Sequence, residues 1–143
     1  MRRSWLLWKA IKSCHYQQDL TRDAVLRYMI TFDFIMSNEI TTCTLYQAGY
    51  HISLKNSGWR KFPAIIHNQL IPVDANVIDF AIRRLVKYQS NATPEQFFIQ
   101  FETIHPYRDG NGRVGEILYY KLSGSFNVPK FNRMSLQWET YIN

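Results

Sequence analysis

The chain has 143 residues, 46% of them hydrophobic and 15% aromatic, so one domain with its own core is expected over residues 1–143. Seventeen basic against eleven acidic residues give a formal charge of +6, which favours acidic partners. No nucleic-acid reader motif, membrane span or metal-type cysteine spacing is present, which argues against nucleic-acid binding, a membrane protein and a zinc site.

The first residues, MRRSWLLWKAIKSC, do not form a signal-peptide core because Lys9 interrupts the apolar stretch. We therefore expect a cytoplasmic protein, while export by a route without a cleaved signal would leave no trace in the sequence. Trp5, Trp8 and Ile11 recur at helical spacing, which predicts a helix over residues 5–16 with this face buried.

Four more helices are predicted between residues 21 and 124, with a short hairpin among them. The first begins at the N-cap Thr21, and the second covers residues 73–89. The third begins at the capping box Thr93-Pro94-Glu95-Gln96, and the fourth covers residues 112–124. Residues 37–44 are predicted to be a loop, and residues 135–142 a short terminal helix. Ala64-Ile65-Ile66 and Leu70-Ile71 flank a polar turn, which predicts a small β-hairpin.

The loop between the last two long helices carries His-Pro-Tyr-Arg-Asp-Gly-Asn-Gly-Arg at residues 105–113. Two glycines around Asn111 allow successive backbone N–H groups to point inward, beside the positive end of a helix dipole, so an anion cradle is expected. Asp109 is then a candidate Mg²⁺ ligand, Arg113 a counter-charge for phosphate and His105 a base for a hydroxyl. Each residue alone is more often structural, but their occurrence together favours transfer at phosphorus.

This run closely resembles the Fic motif HPFx(D/E)GNGRxxR, and Trp59-Arg60 with Ala64-Ile65-Ile66 resembles the hairpin flap of that family. The resemblance implies a mainly α fold, a Fic-type helical bundle with the motif loop at 105–113 and a small β-hairpin flap at about 59–71. It implies that His105 is the general base and that Asp109 binds Mg²⁺. It also implies phosphate contacts from Gly110, Asn111, Gly112 and Arg113, and clamping of an extended target segment by Ala64, Ile65 and Ile66.

The activity implied by the resemblance is Mg²⁺-dependent transfer of AMP from ATP to a Ser, Thr or Tyr hydroxyl of a target protein. One alternative is Doc-like phosphoryl transfer or the use of another nucleotide donor, although Gly112 stands where Doc-like toxins usually have lysine. Another is a catalytically weak Fic-fold protein that binds a partner or regulates one. Neither a membrane nor a nucleic acid is expected as partner, and a homo-oligomer is compatible with the sequence.

Three positions depart from the family pattern. Tyr107 replaces the phenylalanine that anchors the loop, so its hydroxyl needs a buried partner or solvent. Glu116 replaces the second arginine of the motif, which in the family clamps the terminal phosphate. Weaker ATP binding is therefore expected. The alternative is that Glu116 only pairs with Arg113 at the surface. Residues 37–44 resemble an inhibitory segment, with Thr41 in place of a glutamate that pairs with the second arginine. Either that switch was discarded, or Glu116 and another region fill its role.

Overall fold

The computed structural model describes residues 2–66, 69–71 and 73–131. These residues form six α-helices: α1 Arg2–Tyr16, α2 Arg22–Ser37, α3 Thr42–Ile52, α4 Ile78–Lys87, α5 Pro94–Ile104 and α6 Asn111–Ser123. Short 3₁₀ helices, Ala75–Val77 and Gln89–Asn91, flank α4. The mainly helical fold predicted from the sequence is confirmed, while the predicted helix over residues 135–142 lies outside the described residues.

The helices enclose one hydrophobic core to which all six contribute. Helix α2 packs against α1, α3 and α6, and α5 packs against α4 and α6. Among the largest fully buried side chains are Tyr28, Ile35, Phe97, Phe101, Ile117 and Leu118. Helix α6 therefore lies inside the bundle, which fixes the position of the loop that precedes it.

Two strands of two residues each, β1 Ile65–Ile66 and β2 Gln69–Leu70, pair antiparallel, with Ile65 opposite Leu70. The Ile71 N–H donates to the Ala64 carbonyl at 2.8 Å and extends this contact by one bond. No larger flap is formed by the residues that the structure describes, and the predicted turn around residue 68 lies outside them. The clamping of a target by Ala64, Ile65 and Ile66 therefore stays a prediction.

The predicted buried face of α1 is wrong for Trp5 and Trp8, while Ile11 is partly buried and packs against the core. Trp5 and Trp8 are 44% and 62% exposed, and the buried residues of α1 are Leu6, Ala10, Ser13 and Cys14. These small side chains recur at helical spacing and let α1 lie close to its neighbours. The rings of Trp5 and Phe32 meet edge to face with centroids 6.0 Å apart, at the edge of the core.

Helix α3 was not predicted from the sequence, although its first residues fall in the predicted loop 37–44. Its N-cap is Thr41, whose hydroxyl accepts the Thr44 N–H at 3.0 Å. Leu45, Ala48 and Ile52 are almost completely buried. Tertiary burial therefore stabilises a helix whose threonine, cysteine and glycine residues have weak helix propensity.

The two cysteines do not form a disulfide bond. Cys14 is buried, Cys43 is exposed and both are free. Among the described helices, none is long and apolar enough to cross a membrane.

Candidate active site

His105 ends α5, at the point where the chain turns into the loop 105–113. The predicted capping box is present: the hydroxyl of Thr93 accepts the Gln96 N–H, and the Gln96 side chain accepts the Thr93 N–H. At the other end, His105 has a left-handed backbone (φ 51°, ψ 64°), and its N–H donates to the Phe101 carbonyl at 3.0 Å. Such a conformation costs a residue other than glycine about 1 kcal/mol or more, so the surrounding contacts must hold it.

The side chain of Arg60 supplies those contacts. It is 6% exposed and donates hydrogen bonds of 2.6–3.2 Å to four main-chain carbonyls, those of Phe62, Val73, Ile104 and His105. Its own N–H donates to the Pro106 carbonyl at 2.8 Å. Burial lowers the pKa of Arg60, and the charge of Asp74 acts in the opposite direction. Arg60 thus joins the end of α5 to the segment before the hairpin. The resemblance to the family's flap includes Arg60 but did not indicate this role.

The loop is closed by the buried side chain of Asn111. Its Oδ1 accepts the Tyr107 N–H, and its Nδ2 donates to the Tyr107 carbonyl, both at 2.8 Å. Both ends of the amide are therefore used within the loop. The main-chain N–H of Asn111 makes neither of these two contacts, so it remains for the phosphate contact predicted for this residue.

Tyr107 anchors the loop in the core, where it is 1% exposed. Its hydroxyl donates to the Leu45 carbonyl in α3, and its ring lies on Gly49, where an added Cβ would be 2.8 Å from the ring. Burial raises the pKa of Tyr107, so the side chain stays a neutral donor. The buried partner that the sequence required for this tyrosine is present.

Asp109 is held in place by Asn56, a residue that the sequence reasoning missed. The Asn56 amide donates to the Asp109 carbonyl at 2.8 Å and accepts the Asp109 N–H at 3.0 Å. The Asp109 carboxylate is 28% exposed, and its Oδ2 lies 3.3 Å from Nη2 of Arg113. The other carboxylate oxygen accepts no hydrogen bond from a described residue, so it can bind a cation.

The predicted anion cradle falls at the start of α6. Gly110 has φ 88°, and an added Cβ would lie 2.6 Å from the Ile52 side chain, so glycine is required there. The first main-chain bond of the helix runs from the Val114 N–H to the Gly110 carbonyl, which leaves the N–H groups of residues 111–113 without helical acceptors. Arg113 is 3% exposed, and its Nε has no hydrogen-bond partner among the described residues. Backbone N–H groups, a helix dipole and a buried guanidinium together suit phosphate.

One comparison with known proteins agrees with this geometry. Residues 64–122, which include the loop 105–113, match the model of the Fic/DOC family. The match supports a Fic domain over residues 64–122. No curated protein and no solved structure matches the chain. The Fic match supports nucleotide transfer of the Fic type in general, and hence a transferase.

The N-terminal segment of the chain lies against the cradle. Asp19, in the connection between α1 and α2, places Oδ2 3.7 Å from Nη1 of Arg113. An added Cβ on Gly112 would lie 3.4 Å from the Gln17 amide nitrogen. Burial raises the pKa of Cys14, while the nearby Arg113 opposes that shift. No sequence signal pointed to Asp19, because its contact with Arg113 joins distant parts of the chain.

Glu116 does not pair with Arg113, so the surface pair considered from the sequence is not formed. Its Oε1 accepts from the hydroxyls of Ser13 and, at 2.7 Å, Tyr28, while its Oε2 lies 3.3 Å from Lys9 Nζ. Glu116 also lines a cavity of about 360 Å³ together with Gly112. Its carboxylate therefore lies beside the cradle, but its charge is largely balanced by α1.

The segment 37–44, which resembles an inhibitory motif, lies at the other end of α6. The Lys121 ammonium in the last turns of α6 donates to the carbonyls of Ile35 at 2.9 Å and Asn38 at 2.7 Å. Lys121 is roughly 14 Å along the helix axis from Gly112. Thr41 caps α3, and the acidic partners of Arg113 in the described chain are Asp19 and Asp109.

Proposed function

We propose that this Fic domain transfers AMP from ATP to a Ser, Thr or Tyr hydroxyl of a target protein. The observation that carries the proposal is the cradle formed by the main-chain N–H groups of residues 111–113 and buried Arg113, on the same loop as Asp109 and His105. This set supplies phosphate binding, a cation ligand and a base. The cytoplasm, where ATP is abundant, is the proposed compartment.

In the proposed reaction, the target hydroxyl attacks the α-phosphorus of ATP. A bond forms between the hydroxyl oxygen and phosphorus, the bond from phosphorus to the bridging oxygen breaks, and pyrophosphate leaves. His105 takes the hydroxyl proton, and the cradle with Arg113 stabilises the negative charge that develops on the α-phosphate oxygens. The buried position of Arg113 strengthens its interaction with that charge.

Mg²⁺ is the proposed cofactor, and Asp109 is the residue that would hold it. A single carboxylate with one free oxygen fits this ion, which in nucleotide sites takes most of its ligands from phosphates and water. No group of three or more candidate metal ligands occurs among the described residues, so a metal site formed by the protein alone is not supported there. When bound, Mg²⁺ supplies neutralisation of phosphate charge.

We expect Asp109→Asn to remove the Mg²⁺-dependent part of ATP affinity, about tenfold or more, and to remove turnover. Titration calorimetry with ATP in Mg²⁺ and in EDTA measures this. The matched control is Asp19→Asn, since Asp19 is the other carboxylate beside Arg113 and is expected to leave the Mg²⁺ dependence unchanged. If the unaltered protein binds ATP equally with and without Mg²⁺, Asp109 is not a metal ligand.

Doc-like phosphoryl transfer and use of another donor are the alternative functions, and a weakly catalytic binding protein is another. Attack at the α-phosphorus releases pyrophosphate, whereas attack at the γ-phosphorus releases ADP. Phosphorus NMR of the products formed with Mg²⁺ and ATP, with acceptor protein present, is therefore the test. We expect pyrophosphate. ADP would favour phosphoryl transfer, and the absence of both products would favour another donor or a binding protein.

Variants at Glu116 test how much the contacts between this residue and α1 contribute to stability. We expect Glu116→Arg to lower the free energy of unfolding by about 2–4 kcal/mol, because it places a cation against Lys9 and leaves the Tyr28 and Ser13 hydroxyls without their acceptor. Glu116→Gln is the control, since it retains an acceptor oxygen, and it is expected to cost about half as much or less. Urea unfolding of both variants measures the difference. Equal stability of Glu116→Arg and the unaltered chain would mean that these contacts contribute nothing.

The same variants address the departure from the Fic motif. If a carboxylate at 116 opposes the terminal phosphate, Glu116→Gln should bind ATP about tenfold more tightly, with a much smaller gain for ADP. Because Lys9 already balances the Glu116 charge, we expect a smaller gain, about threefold at most. Titration with both nucleotides distinguishes these results.

A further inference from the structure

A groove of about 330 Å³ lies between the motif loop and the segment that leads to the hairpin. Trp59, Phe62 and Ala64 line one side, and Tyr107 and Arg108 line the other. The hydrogen bond from Arg60 Nε to the His105 carbonyl, at 2.6 Å, fixes the first side to the end of α5. The groove is therefore held beside the candidate base.

The groove is strongly basic. Lys55, Lys61 and Arg108 line it, all three are exposed, and none forms an ion pair with a described residue. No acidic residue is among its described lining. Buried Arg60 adds a further positive charge, which Asp74 partly offsets, while Lys55, Lys61 and Arg108 have no paired carboxylate among the described residues.

The carboxylate of Asp79, which is hydrogen-bonded to Trp59, does not change this. Asp79 accepts from Trp59 Nε1 at 3.1 Å and pairs with Arg83 at 2.7 Å. The hydrogen bond from Arg83, and then that from Trp59, lower the pKa of Asp79. The Asp79 carboxylate is therefore already paired with these two side chains. The potential in the groove is set by its cations.

Exposed apolar side chains lie in the groove and in the hairpin that follows it in the chain. Phe62 is 74% exposed, Ile65 is 69% exposed, and Leu70, opposite Ile65 in the hairpin, is 62% exposed. One such residue is ordinary at a protein surface, but three on one short segment mark a contact surface. The surface therefore combines positive charge with apolar area.

We propose that this groove docks an acidic segment of the target protein, with its carboxylates at Lys55, Lys61 and Arg108 and an apolar side chain on Phe62 and Ile65. Complementary charge identifies the occupant, and the apolar side chains favour a peptide over a nucleic acid. The inference rests on the proposed function only in that the docked segment presents its hydroxyl to His105. Docking itself needs no nucleotide.

Fluorescence anisotropy of the full chain, without nucleotide, tests the docking. The probes are two labelled peptides of equal length with a central serine and two leucines, one flanked by Asp and Glu and the other by Asn and Gln. The acidic peptide should bind about tenfold more tightly at low salt. Lys61→Glu should remove most of that preference. Lys87→Glu makes the same charge change on an exposed residue outside the groove, and should alter binding by about twofold at most.

Equal affinity for the two peptides, or an equal loss in both variants, would overturn the docking proposal. A single-stranded oligonucleotide that displaces the acidic peptide more effectively than unlabelled peptide does would assign the groove to nucleic acid, and would also overturn it. ATP affinity should be the same in Lys61→Glu and the unaltered chain. If the peptide docks but no pyrophosphate is released, only the proposed function is contradicted. If pyrophosphate is released but the peptide does not dock, only this docking proposal is contradicted.

Discussion

Replacing His105 with asparagine should lower the rate of AMP transfer by roughly 10²–10⁴-fold, while ATP affinity changes by about twofold or less. Asparagine tolerates the left-handed backbone that His105 adopts, so the loop should keep its shape while the base is lost. The loss should therefore fall on kcat rather than on KM for ATP.

His15→Asn is the control for this change, because His15 is an exposed histidine at the end of α1. Its transfer rate should equal that of the unaltered chain. Full activity in His105→Asn would remove His105 from the mechanism. A parallel loss of ATP affinity would mean that His105 supports the cradle instead of acting as a base.

Arg60→Met should have the largest effect on stability, a loss of about 3–5 kcal/mol in the free energy of unfolding. The change leaves the carbonyls of Phe62, Val73, Ile104 and His105 without a charged donor in the interior. Urea unfolding measures the loss. Arg60→Lys should recover only a small part of it, since an ammonium cannot reproduce the planar set of donors.

A separate measurement distinguishes positioning of His105 from stability alone. Under conditions where Arg60→Met is fully folded, kcat should still fall by about tenfold or more, with KM for ATP nearly unchanged. This follows because Arg60 holds the His105 carbonyl rather than the phosphate cradle. If the folded variant transfers AMP at the normal rate, Arg60 has a structural role only.

The parts of the site that could be predicted are those set by neighbouring residues. Thr93 and Gln96 predicted the start of α5, because a capping box is complete within four residues. Pro106 predicted its end, and the glycines around Asn111 predicted the turn that leads into α6. Local backbone chemistry decides these features, so one sequence is enough to find them.

The parts that were missed depend on contacts between distant residues. Helical spacing in α1 was recognised, but the buried face was assigned to Trp5 and Trp8 because the period does not say which side meets the core. Asn56 reaches Asp109 across 53 positions, and Ser13 reaches Glu116 across 103. Such pairings follow from the packing of whole helices, and no local pattern near Asn56 or Ser13 indicates them.

The most direct test of AMP transfer by this Fic domain is intact-mass spectrometry after incubation with Mg²⁺ and ATP. The sample contains the chain, the serine peptide with Asp and Glu flanks, and a mixture of acceptor proteins, with His105→Asn as the matched inactive sample. We expect a mass gain of one AMP on an acceptor or on the chain itself, absent from the His105→Asn sample. A gain of one phosphate, or the same AMP gain in the His105→Asn sample, would contradict AMP transfer with His105 as the base.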